Sequence, residues 1–169
     1  MSFKNYLRGW TLFIDGLHRL EGAVEYSPPE LAIALLSLRT GGMDAPVPVD
    51  DGMEALTVSF KIYGVDADVL SRFGMQPGRS VRLTAYEAFV MKGIERGKVD
   101  EMTGIISRIS HDARPNSNLG EAGMSVEMGL SYYRSRLDGR ELIEIIPESL
   151  IRRINGVNVL AGLRAALRV

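Results

Sequence analysis

VEMGLSYYRSRLDGRELIEIIP, residues 126 to 147, decides the fold. Val126, Met128, Leu130 and Tyr132 alternate with Glu127, Gly129 and Ser131. Such period-two alternation predicts a strand with one buried face. Asp138-Gly139 then offers two residues able to take positive φ, the requirement of a tight hairpin turn. Glu141, Ile143 and Ile145 carry the chain back until Pro147 ends the pairing. The stretch therefore predicts a long β-hairpin.

The same signals recur outward from it. In TVSFKIYG, Val58, Phe60 and Ile62 face one way while Thr57, Ser59 and Lys61 face the other. RSVRLTAY alternates through Val81, Leu83 and Ala85, and residues 101 to 109 predict a further strand. Trp10 to Ile14, the Asp15-Gly16 turn and the chain from Leu17 predict another hairpin. LAIALLSLR, residues 31 to 39, is apolar on every side; this suits a doubly buried strand or a short buried helix, and the strand is preferred. HDARPNSNLGEAG, residues 111 to 123, has the composition of a mobile loop joining two strands.

Two short helices complete the reading. After Gly64, Asp66 or Asp68 can cap a turn whose Val69, Leu70 and Phe73 share a face, with Gly74 beyond its end. In the tail, Asn158 is a candidate N-cap before Leu160, Leu163 and Leu167. The expectation is one mainly β domain over residues 1 to 169, a sandwich or barrel-like fold with one flanking and one C-terminal helix.

Composition narrows the function. Hydrophobic residues make up 46% and charged ones 24%, neither the signature of disorder nor of a membrane class. The apolar run from Leu31 to Leu36 is far shorter than a bilayer needs. MSFKNYLRGW lacks the apolar centre and cleavage site of a secretory signal, so a product first accumulating in the cytoplasm is expected. With no cysteine, disulfides, thiolate nucleophiles and cysteine metal sites are excluded. A formal charge of −1 argues against adhesive contact with nucleic acid, which relies on clustered Lys and Arg.

Site chemistry is sparse. No nucleophile elbow, P-loop or dinucleotide fingerprint is present. His18 and His111 have no zinc-type spacing and are expected at the surface; His111 and Asp112, adjacent in an extended chain, make a poor base and orienter. Asp50-Asp51 and Asp100-Glu101 read as solvated neighbours. No catalytic residue, metal or cofactor is predicted.

One stretch stands apart: GGMDAPVPVDDGM, residues 41 to 53. Asp44, Asp50 and Asp51 lack the ligand order of a calcium loop. Pro46 and Pro48 around Val47 instead force a stiff, extended backbone. Gly41 and Gly42 on one side and Gly52 on the other read as hinges, and Met43, Val49 and Met53 add apolar surface. An extended loop over about 40 to 56 that docks on a neighbouring subunit is expected, because a preorganised arm loses less entropy on docking.

LFIDG at 12 to 16, GGMDAPVPVDDGMEAL at 41 to 56, FG at 73 to 74, SYYRSRLDGRELIEI at 131 to 145 and INGVNVLAGLR at 154 to 164 together closely resemble the major tail tube protein of contractile-tailed phages and R-type bacteriocins. The likeness runs from about the tenth residue to the end, weakest between Gln76 and Glu127 and at the closing Leu167, Arg168 and Val169, where the family has a Leu-Gly-Leu flavour. It implies a non-enzymatic subunit of hexameric rings that stack into a hollow tube inside a sheath. It also implies partners: copies of itself, the tail sheath protein, baseplate proteins, the tape-measure protein, the tail terminator, and genome DNA sliding through the lumen. The implied location is the virion tail or bacteriocin particle, assembled in the host cytoplasm. Two alternatives stand beside it: a small β-barrel that binds a ligand or catalyses a reaction in its mouth, and the tube protein of another contractile injection system such as type VI secretion.

Overall fold

The computed structural model describes residues 4–74 and 78–169; Gln76 lies outside them. In chain order the strands are β1 (Asn5–Ile14), β2 (His18–Arg19), β3 (Ala23–Ser27), β4 (Ile33–Leu38), β5 (Val47–Met53) and β6 (Thr57–Tyr63). A one-turn helix α1 (Ala67–Leu70) precedes β7 (Val81–Met91), β8 (Ile94–His111), β9 (Gly123–Leu137) and β10 (Arg140–Ile146). The chain ends with β11 (Ile151–Ile154), β12 (Val157–Asn158) and helix α2 (Ala161–Leu167). Mainly β architecture with two short helices agrees with the sequence reading.

The predicted long hairpin is β9–β10, closed by Asp138 and Gly139 at φ 56° and 81°. It is the hinge of the whole body. One edge of β9 pairs with β8; the other pairs with β6 along residues 123–129 and with β10 along 133–137. A single ladder thus branches into two leaves, β3–β6 on one side and β10–β11–β12 on the other, while β8–β7–β1–β2 continues the main sheet.

The branch has a local cause. Thr103 pairs with Tyr132 but Gly104 with Leu130, leaving Ser131 as an extra residue. A bulge of this kind bends a strand and reverses which side chains face inward. Val126 and Met128 are buried before it, Tyr133 and Ser135 after it. Tyr132, expected on the buried face, is only partly covered for this reason, while Leu130, before the bulge, keeps the phase of Met128 and packs partly buried against the core. Gly104 is required here, since a Cβ on it would lie 1.9 Å from the Gly129 carbonyl oxygen.

The core lies between the two surfaces this bend creates. Leu12 and Ile14 of β1, Leu83 of β7, Met102 and Ile106 of β8 and the expected Val58, Phe60 and Ile62 of β6 are all buried in it. Val69 plugs one end from α1, whose start is fixed by Asp66: its Oδ1 accepts from the amides of Asp68 and Val69 at 3.0 and 3.2 Å. Phe73, expected on the same apolar face, is exposed instead. The β1–β2 connection needs three residues, Asp15 to Leu17, rather than the two of a tight turn, although Asp15 and Gly16 do take positive φ. The 111–123 segment joins β8 to β9 as expected.

Candidate assembly interface

β4 and β5 form a two-stranded sheet outside the branched one. The stretch read as a hinged loop is therefore mostly the second strand of a hairpin, its Pro46–Pro48 region extended as the prolines require. Pro48, lacking a donor, pairs opposite Ser37, a position tolerated in a ladder with free edges. Two of the three glycines have a defined backbone role here. Gly42, at φ +88°, turns the chain at the tip, where the Met43 amide donates to the Thr40 carbonyl at 3.2 Å. Gly52, at φ +97°, makes a bulge between the Ile33–Met53 and Leu35–Asp50 pairs, with its amide donating 2.8 Å to Asp50 Oδ1.

LAIALLSLR forms a strand, but not a buried one. Leu35 is 65% exposed and Leu36 52%, and Ile33, Leu38, Val47 and Val49 are exposed as well. Among the described residues the arm is anchored to the body near its root. Met53 packs against the core and Asp50 meets Arg152 of β11 at 2.6 Å, while the Glu54 amide, donating to the Ala32 carbonyl at 2.9 Å, closes the base of the hairpin itself. The guanidinium beside it holds the Asp50 carboxyl below the usual range, helped by the Gly52 amide. Asp50 is thus not simply solvated; Asp44 and Asp51 are exposed, and among the described residues neither has an ion-pair partner.

An open groove of about 800 Å³ runs beside this root. Its walls are mainly apolar: Met53 and Leu56 after the arm, Leu130 and Ile145 of the body, and Leu160 and Leu163 at α2. Of the four charged residues at its side, Asp50 and Arg152 pair with each other, while Asp51 and Glu54 have no ion-pair partner among the described residues. α2 itself buries no residue, and Leu163 is half exposed. Its start is not capped by Asn158, whose Oδ1 accepts instead from the amides of Arg152 and Leu160, tying the β11–β12 turn to the helix.

Away from the core, the sheet carries charge that is internally matched. Glu101 accepts from Arg136 at 2.8 Å and lies 3.3 Å from Arg134; Glu144 holds Arg153 and accepts from the Tyr132 hydroxyl at 3.0 Å; Glu141 adds a longer contact to Arg134. Burial and the Glu144 bond raise the Tyr132 pKa. Asp100, read beside Glu101 as solvated, points the other way and is fully buried. Lys98 lies 3.3 Å from it and 3.4 Å from the buried Glu87. Burial alone would pull the Lys98 ammonium down, but the two carboxylates outweigh it and hold it raised.

The histidines divide. His18 is half exposed, as expected, yet its Nε2 lies 3.0 Å from Asp66 and 3.5 Å from Asp68, and the Asp66 bond raises its pKa. These three form the one tight His/acid grouping among the described residues, and the α1 cap and the histidine contact together account for it. Asp112 serves Lys61, at 3.0 Å, and the Gly123 amide rather than His111. No described helix is long and apolar enough to cross a membrane.

An apolar arm and an apolar groove thus stand on a charge-matched β body. The family profile described as phage tail tube protein FII matches residues 4–167. The chain belongs to the phage tail tube protein family. It is also similar to the tail tube protein of Escherichia phage P2, at 24% identity over 165 residues covering 94% of each chain. The family is one of virion structural proteins of the tail, so the resemblance read from the ordered motifs agrees with the match.

Proposed function

We propose that this tail tube protein is the repeating subunit of a hollow inner tube, six copies to a ring and rings stacked along the axis. The tube templates a surrounding sheath, is driven outward when the sheath contracts, and conducts DNA or ions. Its work is mechanical, with no catalytic step. Sheath, baseplate, tape-measure and terminator proteins are its partners, and assembly takes place in the host cytoplasm before the tail is complete.

The observation that carries this reading is the arm. A lone two-stranded hairpin is marginal in water, and this one exposes leucines and valines on strands that make no core of their own. Residues 41 to 53, with Gly41, Gly42, Met43 and Asp44 at the tip and Val47 to Met53 in β5, find their cover on a neighbouring copy. The matched Arg and Glu face supports the conduit: guanidiniums already held by carboxylates offer little free charge to a phosphate backbone.

Sedimentation and negative-stain microscopy of the purified chain at rising concentration test the proposal. Rings and hollow tubes are expected; a strictly monomeric species under all conditions would overturn it.

A further inference from the structure

We infer that α2 is a lid on the groove it borders: in the free subunit it swings down over the groove, held by the leucines of one helix face and guided by the two arginines beside them. The inference goes beyond the tube reading and involves one chain only.

As it stands, the helix has little support. It has seven residues, about half of what a helix needs to persist alone in water. No side chain caps its start, Gly162 weakens its first turn, and it buries no residue. Asn158 Oδ1 accepts from the Leu160 amide at 3.1 Å and fixes a pivot there. Beyond that pivot, among the described residues, no hydrogen bond or ion pair ties the helix to the body.

The closing face already points the right way. Leu160, Leu163 and Leu167 follow helical spacing and share one stripe. The first two line the groove, whereas Leu167, one turn on, is 58% exposed. A swing about Leu160 lays the rest of the stripe over Leu56, Leu130 and Ile145.

Charge selects this occupant. Arg164 and Arg168 lie one turn apart beside the stripe, and among the described residues neither has an ion-pair partner. The groove offers Asp51 and Glu54, equally without partners, while Asp50 and Arg152 pair with each other. Two free cations on the lid thus match two free carboxylates on the groove. Exposed pairs of this kind contribute little each, so leucine burial holds the lid down and the charges set where it lands. A closed lid withholds the apolar groove from other chains until α2 swings out, an autoinhibitory contact.

Hydrogen exchange of residues 161–167 in the dilute subunit tests the lid, with Nile red fluorescence reporting the groove. Protection of about tenfold or more over an unstructured segment is expected in the unmodified chain. Arg164→Glu with Arg168→Glu should remove it and raise Nile red binding about threefold, and adding Asp51→Lys with Glu54→Lys should restore both. Unprotected exchange in the unmodified chain would overturn the lid. So would protection or dye binding unchanged by the arginine reversal, or a folded fourfold variant in which neither returns. Should the fourfold variant lack native circular dichroism, Asp51→Asn with Glu54→Gln decides: loss of protection supports the lid and retention overturns it. Every measurement is made below the concentration at which copies associate, so a failure to form tubes leaves the outcome untouched.

Discussion

The body and the arm hide their apolar residues by opposite means. In the body a bulged strand splits one sheet into leaves that close over Leu12, Met102, Phe60 and Met128 within a single chain. In the arm the sequence is at least as apolar, yet Leu35 and Leu36 stand in solvent because two strands cannot enclose anything. Hydrophobic content therefore does not distinguish the two regions. What differs is whether the chain itself covers them, so on the proposed reading stability should reside in the body and assembly in the arm.

The sharpest way to break that division is to substitute in each region and read both properties. Gly104→Ala should have the largest effect, because its Cβ would drive into the Gly129 backbone; loss of the folded subunit is expected by circular dichroism. Met102→Ala, which empties a fully buried site, should cost about 2–5 kcal/mol in urea unfolding. Leu36→Ala should change subunit stability by no more than about 0.5 kcal/mol, as exposed positions do, and still abolish tube formation in light scattering. A Leu36→Ala subunit as unstable as Met102→Ala would erase the distinction between the regions.

A smaller effect is expected at the joint between them. The Asp50 carboxyl is held below its unfolded value, so its tie to Arg152 contributes fully above about pH 4 and is lost as the pH falls through the lowered folded value. Amide exchange in β5 should rise in that acid range, and Arg152→Ala should show the raised exchange already at pH 7. An arm insensitive to both would mean the ion pair anchors nothing. The least effect should come from His18. Its folded pKa is raised, so its bond to Asp66 contributes fully below about pH 6.5 and fades as the pH rises through the folded value. His18→Gln should lower the melting temperature slightly at pH 5.5 and negligibly at pH 8.5, whereas an equal loss at both would exclude a charged contact.

The body was largely legible in the sequence because alternation and turn residues act locally. Val58, Phe60 and Ile62, Asp138-Gly139 and the Asp66 cap each follow from a few adjacent positions. The bulge at Ser131 was not, since one extra residue depends on the partner strand and reverses the phase from Tyr132 to Tyr133. The partner of Asp50 was equally hidden, 102 residues away in the chain, as was the burial of Asp100, which depends on the sheets that close over it. LAIALLSLR misled for a deeper reason. An all-apolar run signals burial, but the sequence does not say whether the chain that buries it is its own or another copy. For the same reason the 41–53 stretch read as a contact surface while its form, a bulged strand rather than a hinged loop, stayed hidden.

The central claim is that the arm is completed only by a neighbour. Hydrogen exchange of residues 33–38 and 47–53, measured in the dilute subunit and in assembled tubes at one pH, addresses it most directly. Fast exchange in the subunit and protection approaching that of β7 to β9 in the tube is the predicted result; equal exchange in the two states would contradict it.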